Sequence, residues 1–515
     1  MTSAHRSAGL VRVGLVLVGL GWLGMRAAAQ EPGPPPRTTE TPLSEAVERI
    51  RVLEEQNKDL LNQIDDIRRE LGLQRAPAPP IREAPLGNLE GQLGRPLPPG
   101  RDVIETGEEG LARARVDLSQ GVRFLSPDGR YRIELHDLTQ FEGRFFNVTG
   151  SRPEDLHDNF AIPRQRLYFT GQIAEHFDFY SVLNRGYGSL ELLDSYVNLK
   201  FDTKFNVRLG RTKTPYTYEY YKIVEGDLIA PERSVFVGNL APNRQIGVMA
   251  FGRLLDQQLE YAVGLFNGPH NSFQDFNNFK NVFFYINTKP FRYSGIDVIK
   301  ELNLGGSVNF GREDDPLEPN ALHTANDETI SPNVDNVSPT FLRFNKDAVE
   351  KGATAFWSGD VAWYYRSMTA LAMYNGGYLT YSLPTRSGIR VPFEGGSVAL
   401  TFFLTGEEIS SRKEVEPLRP FDWHNPLTHP GAIELYSRVG YVNAGANVFT
   451  TGLADPRLWS NDALVFDTGF NWYLNRFVRV FVDWQHAIYG SPVQVGPNRL
   501  TNSTDMFWLR SQIYY

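Results

Sequence analysis

From about residue 115 to Tyr515, large apolar side chains alternate with polar ones along short segments divided by Gly, Asn, Asp and Pro. Arg164-Gln165-Arg166-Leu167-Tyr168-Phe169-Thr170, Ser195-Tyr196-Val197-Asn198-Leu199-Lys200-Phe201 and Phe205-Asn206-Val207-Arg208-Leu209 are clear instances. Side chains that alternate with period two stand on opposite faces of a β-strand. One apolar and one ionic face, repeated over roughly 400 residues, predict an all-β transmembrane barrel of about 16 antiparallel strands, with lipid outside, solvent inside and no unpaired backbone edge. A soluble sandwich alternates in the same way, but this run is long for one sandwich domain. Two stretches are too polar for strands. Gly311 to Gly352, dense in Asp, Glu, Asn and Pro, suits a long extracellular loop, and Pro215 to Asn243 suits a loop that folds inward and narrows the pore.

The chain ends on one more alternating segment. Phe507, Leu509, Ser511, Ile513 and Tyr515 share a face, and Trp508, Arg510, Gln512 and Tyr514 share the other. Ending on an aromatic residue resembles the terminal signal by which outer-membrane assembly machinery recognises its barrels. At the other end, His5, Arg6 and Arg12 precede an apolar run from Val13 to Met25, followed by Ala27-Ala28-Ala29 and a polar Gln30. That is the layout of a cleaved secretory signal. Thirteen residues at 1.5 Å each span about 20 Å, too little for a membrane core of about 30 Å. Export to the outer membrane is the expectation.

Between signal and barrel the period changes. Leu43, Ala46, Ile50, Leu53, Asn57, Leu60, Ile64, Ile67 and Leu71 recur at steps of three and four, the spacing of a coiled coil. A lone Asn57 at a core position fixes register and strand number through its buried amide. The alternative is a single solvated helix, which is marginal in water at this length. Proline-rich stretches flank this element, so the predicted organisation is a signal peptide over 1–29, a spacer over 30–42, an α-helical coiled coil over 43–72, a Pro/Gly-rich linker over 73–114 and the barrel over 115–515.

Composition narrows the function. A 41% hydrophobic share and a mean hydropathy of −0.34 exclude a bundle of membrane helices. A net charge of −8, more negative still without the three Arg of the first 29 residues, argues against nucleic acid as a partner. Without cysteine there is no disulfide framework, thiol nucleophile or Cys-ligated metal. No HExxH, GxSxG or GxxxxGK motif occurs, and neither enzyme activity nor a cofactor or metal is expected.

The order of short motifs resembles that of the phosphate-selective porin O and P family. Arg208-Leu209-Gly210-Arg211-Thr212-Lys213-Thr214-Pro215-Tyr216 resembles its early strand end, and Pro231-Glu232-Arg233-Ser234 with Asn243-Arg244-Gln245-Ile246-Gly247-Val248 its loop and following strand. Leu404-Thr405-Gly406-Glu407, Gly431-Ala432-Ile433-Glu434-Leu435 with Arg438, and Asn471-Trp472-Tyr473-Leu474-Asn475 follow in the same order. The resemblance covers roughly 130–515. It implies a sixteen-stranded, trimeric outer-membrane channel for small inorganic anions, phosphate or polyphosphate in the best-known members.

Such a channel needs fixed positive charge, because an anion losing its hydration can be re-solvated by forked guanidinium hydrogen bonds. Arg164, Arg166, Lys200 and Arg208 lie on polar strand faces. Turning them to lipid would cost about 2–4 kcal/mol each near the midplane. Arg211, Lys213 and Arg233, at a strand end and in the loop, are the strongest candidates for touching the solute. The competing reading is that interior charges pair with neighbours such as Asp194 and Glu434, most plainly for Arg438, which shares a face with Glu434. Arg244 alternates with Ile246, Val248 and Ala250, which places it at a rim. Tyr216, Tyr218, Tyr220 and Tyr221 read as packing or girdle residues more than as a pore lining. Acid in 311–352 is expected outside the pore. A second reading makes the barrel an envelope anchor, with contact to the cell wall through the coiled coil.

Overall fold

The computed structural model describes residues 113–116, 122–126, 130–150, 155–187, 189–271, 273–326 and 337–515. The predicted signal peptide, spacer, coiled coil and nearly all of the linker lie outside the described residues; a strand already begins at Arg113. Sixteen strands form the wall: β1 (Tyr131–Phe146), β2 (Gln165–Ile173), β3 (Phe177–Gly186), β4 (Ser189–Lys200), β5 (Asn206–Lys213), β6 (Arg244–Leu254), β7 (Leu259–Phe266), β8 (Asn281–Thr288), β9 (Asn303–Pro316), β10 (Val349–Tyr365), β11 (Met368–Leu383), β12 (Arg386–Phe403), β13 (Ala432–Ala444), β14 (Asp462–Tyr473), β15 (Val478–Gly496) and β16 (Arg499–Tyr514). Each runs antiparallel to its neighbour. The last returns to the first, with Leu509 opposite Gly143 and Arg510 opposite Glu142, so the sheet closes. Three short strands, Arg113–Val116, Val122–Leu125 and Asn159–Ala161, extend the sheet beside β1.

The predicted alternation is present. On β16, Trp508, Arg510 and Gln512 are buried, whereas Phe507, Leu509 and Ile513 are 58%, 50% and 47% exposed on the outer wall. At one end of the barrel the connections 174–176, 201–205, 255–258, 366–367 and 474–477 are short; at the other lie 147–164, 214–243, 267–280, 317–348 and 445–461. Long loops mark the extracellular end. Two longer connections, 289–302 and 404–431, interrupt the short-turn end.

The interior differs from an open aqueous bore. Arg144, Arg164, Arg166, Arg244 and Arg510 are each at most 1% exposed, because loops fold into the lumen. Loop 214–243 carries α1 (Tyr218–Lys222), a 3-10 turn at Glu225–Asp227 and α2 (Val235–Leu240), and nearly all of it is buried. Its inward course agrees with expectation. The other polar stretch does not lie wholly outside: Gly311–Pro316 and Val349–Gly352 continue β9 and β10 in register, and between them Ala321–His323 pairs with Thr340–Arg343 as a buried hairpin. The reason is local. Arg312, Asp314 and Lys351 on the outer face allow the strands to continue past lipid into water, while Leu322, Phe341 and Leu342 require burial.

Those apolar groups pack with Phe236 and Leu240 of α2, Phe356 of β10 and Phe393 of β12, filling the extracellular half of the lumen against β10–β15. Asn239 ties the layers together: its amide donates to the His323 carbonyl and accepts from the His323 N–H, both at 2.8 Å. A short α3 (Asn447–Thr450) joins the same cluster through Val448. Each fully buried side chain of this kind contributes about 1.5–3 kcal/mol.

Placing charge on the outer wall is expected to damage the barrel in proportion to depth. Leu509→Arg should cost about 2–4 kcal/mol and lower the temperature at which the folded band disappears from unheated detergent gels. Ser511→Leu, which completes the apolar face, should leave that temperature equal or higher.

Candidate functional site

Loop 214–243 begins where strand geometry stops. Pro215 removes a ladder donor, and Thr217, at φ 48°, caps α1 by accepting the Tyr220 N–H at 3.1 Å. Beyond α1 the backbone is mostly irregular, so its carbonyls need donors that a lumen without bulk water does not offer. Side chains of the far wall provide them. Arg438 of β13 donates to the Glu232 carbonyl at 2.8 Å, Asn471 of β14 to Ile229 at 2.9 Å, Arg479 of β15 to Leu228 at 2.7 Å and Gln512 of β16 to Gly226 at 2.9 Å; Arg510 donates to Pro231. These interior side chains, three of them guanidiniums, hold the loop.

On the near wall, β1–β6, the loop offers carboxylates instead. Glu225 is the centre: Arg166 lies 2.9 Å from it, Lys213 2.5 Å, Arg233 3.1 Å and Arg244 3.2 Å. Glu232 sits between Arg164, which donates to its Oε1 at 2.9 Å, and Arg510 at 2.7 Å. Burial by itself would raise the Glu232 carboxyl, but the Arg164 and Arg510 guanidiniums outweigh it and hold it down at about 2. Asp227, under the same loop, goes the other way: burial, reinforced by Glu414 and opposed by Arg412 and Arg479, pushes it up to about 7. Beside Glu225, a cavity lined by Arg166, Tyr168, Asp194, Lys213 and Arg244 is no larger than one water.

The sequence-predicted residues therefore divide. Arg164, Arg166, Arg211, Lys213 and Arg233 are gathered between the near wall and the loop, each in a carboxylate pair, Arg211 with Glu191 at 3.2 Å and with the Asn271 side chain at 2.7 Å. Lys200 lies apart at the periplasmic end of β4, 3.0 Å from Asp178. Arg208 differs from all of these. Its guanidinium donates to Asn198 at 2.9 Å and Thr212 at 3.0 Å and stacks 3.9 Å above the Tyr196 ring, with no ion pair within 4.0 Å among the described residues.

Three placements correct the reading of the sequence. Arg244 is not a rim residue: it is 1% exposed, pairs with Asp194 at 2.9 Å and joins the Glu225 cluster. Asn243 before it has φ 55°. Arg438 pairs not with Glu434 but with Asp467 at 2.8 Å, and Glu434 is taken by Arg412 from the periplasmic loop 404–431. Gly210 of β5 has φ 131°. A Cβ there would lie 2.3 Å from the Ser195 carbonyl oxygen, so only glycine fits, and beyond it Arg211 and Lys213 both reach buried acids although Arg208 already occupies the inner face. The tyrosines pack, as expected. Tyr216 and Tyr220 are buried on Asn375 and Asn243, Tyr218 meets Tyr364 at 3.2 Å, and Tyr221 packs edge-on against Tyr285. Arg412, Arg479 and Arg510 went unrecognised; Arg479 and Arg510 alternate with apolar neighbours, whereas Arg412, in loop 404–431, carries no such signal.

No curated protein matches the chain. Among solved structures, OmpT, an outer membrane protein of Vibrio cholerae, is similar at 11% identity and a TM-score of 0.44 over 75% of this chain and 98% of that one. An anion-selective porin from Comamonas acidovorans is similar at 9% identity and a TM-score of 0.44 over 75% of this chain and 100% of that one. The outer membrane channel DcaP of Acinetobacter baumannii is similar at 11% identity and a TM-score of 0.44 over 76% of this chain and 99% of that one. The sequence model of the family described as phosphate-selective porin O and P matches residues 141–512, from within β1 to within β16. Since that match spans the barrel from its first strand to its last, the chain belongs to the phosphate-selective porin O and P family and is an outer-membrane channel.

Proposed function

We propose that this porin passes small inorganic anions, phosphate or polyphosphate among them, along the near wall of the barrel, and that it works as a homotrimer. The observation that carries the reading is Arg208: a guanidinium in the lumen whose partners are an amide, a hydroxyl and an aromatic face, and whose charge is left for a passing solute. Arg164, Arg166, Arg211, Lys213 and Arg233 support it as a constriction of fixed positive charge, with Glu225 and Glu232 setting their positions. Lys200 stands further along, at the periplasmic exit. Buried pairs of this kind fix geometry more than they add stability, which suits a wall that presents cations at defined points. The family's description names phosphate, one of the structures similar to this one is called anion-selective, and another is called a trimer form. The barrel is the site of passage and not of catalysis.

Single-channel recording of the purified protein under a salt gradient tests the selectivity. The reversal potential should favour anions, and added phosphate should reduce the chloride current; cation preference refutes the proposal while leaving the barrel intact. Arg208→Gln should lower the anion-to-cation permeability ratio about fivefold, corresponding to the ~1 kcal/mol that one charge is worth at about 4 Å in water.

Loop position should respond to pH through Asp227. Its raised affinity for a proton means the packed loop is favoured while that carboxyl is protonated. The contribution is complete below the ordinary carboxylate range and is lost as pH rises through about 7. Current noise should therefore increase between pH 6 and 8, and Asp227→Asn should remove that increase. Glu232 acts with opposite sign: its contribution is complete above the ordinary range and fails only as pH falls toward about 2. Arg164→Ala, which leaves Glu232 with one guanidinium fewer, should destabilise the loop by about 3–5 kcal/mol, measured as protease cleavage within 214–243.

A further inference from the structure

Three acids at the extracellular end of β9 and β10 are unlike every other carboxylate described above. Glu313, Asp315 and Glu350 are 6%, 7% and 5% exposed. All three face inward, and Asp315 stands directly opposite Glu350 in the β9–β10 ladder. Glu313, two residues along the same face of β9, is about 7 Å from Asp315 by strand rise. Each has a buried oxygen that accepts no hydrogen bond among the described residues: Oε2 of Glu313, Oδ1 of Asp315 and Oε1 of Glu350.

The nearby cations are committed elsewhere. Lys351 pairs with Asp314 at 3.0 Å on the opposite, outer face, Lys280 pairs with Asp275 and Arg312 lies over the Phe279 ring. His270 is 3.9 Å from Glu318, a further acid just beyond β9. Asn281 donates to one oxygen of Glu313 and neutralises nothing. Gly268, at φ 115°, packs closely against the other: a Cβ there would lie 2.7 Å from Glu313 Oε2. Elsewhere in the lumen a buried carboxylate such as Glu225 or Glu232 has guanidiniums around it; here the ladder brings acid against acid. Like charges directly opposite in a sheet repel, and buried charges persist when they are paired or bind a metal.

We propose that Glu313, Asp315 and Glu350 form a binding site for a hard divalent cation, calcium by their all-oxygen chemistry, which clamps the extracellular extensions of β9 and β10. Calcium accepts six to eight oxygen ligands in flexible geometry, so water and nearby backbone carbonyls can complete the shell. Among the described residues no group of three acidic side chains is already placed to hold an ion; the proposed site requires the Glu313 and Glu350 side chains to rotate toward Asp315 on binding, Glu313 giving up its Asn281 hydrogen bond. The ion would also cancel negative charge at the outer mouth of a channel whose constriction is positive. The inference rests on the strand register and the orphaned oxygens and is independent of what the pore conducts.

Tyr381 of β11 is directly opposite Glu350 on the other side of β10, which supplies a reporter. The purified full-length barrel, freed of metal, should show tyrosine-sensitised terbium emission that calcium chloride displaces, and calcium should raise its unfolding temperature in detergent. Asp315→Asn with Glu350→Gln should weaken calcium binding at least about tenfold, the smaller end of losses seen even for groups that only support a metal's ligands. Because it relieves the repulsion, that double variant should be at least as heat-stable as the parent in chelator. Tyr381→Phe should lose most of the emission and keep the calcium-dependent stabilisation. An equal calcium shift in the parent and the double variant, or no shift in the parent, overturns the proposal.

Discussion

A length of irregular backbone held inside a closed barrel must find a donor for each carbonyl it buries, and everything in this lumen follows from that requirement. The wall contributes no free backbone groups, since every strand is paired on both sides. Side chains have to do it, and guanidinium suits the task because it is always charged and offers several N–H groups in a fixed fork. Arg438, Arg479 and Arg510 reach across from β13, β15 and β16 to the carbonyls of loop 214–243. Glu225 and Glu232 of the same loop then collect cations of the near wall, Glu232 keeping Arg510 as well.

Interior arginines thus serve two ends that look alike in the sequence. On the far wall they replace water for a buried chain. On the near wall they are positioned by carboxylates, and among the described residues of that wall's interior only Arg208, resting on Tyr196, keeps its charge uncompensated by an ion pair. The apolar packing around Phe236 and Phe341 separates the two roles physically by filling the extracellular half against β10–β15. The two walls of the lumen therefore differ in chemistry, and the path proposed above follows the near wall.

Much of this was readable beforehand. The alternation through Arg164 to Thr170 and through Trp508 to Tyr514 places side chains on the correct faces, because a strand leaves no other arrangement once one face meets lipid. The inward loop was legible from Pro215 to Asn243 being too polar to cross a membrane and too long for a simple turn. Arg244 and the pair Arg211 and Lys213 were harder, since at these strand ends residues of both faces are buried and alternation no longer separates them. The partner of Arg438 was harder still: Glu434 shares its strand face, but Asp467 is across the ladder and nearer.

Sequence alone determined the wall, its inner and outer faces, the approximate strand number and the supply of interior cations, because these depend on local periodicity and on the cost of placing charge in lipid. Only the tertiary structure decided which cation meets which acid, that Ala321–His323 and Thr340–Arg343 pair within the mouth, and that Glu313, Asp315 and Glu350 lie on one face with no ion pair to a cation among the described residues. Those outcomes depend on contacts between residues hundreds of positions apart, such as Arg510 with Glu232. Ladder register and loop entry angle set such contacts, and neither is encoded in the pattern of any single segment.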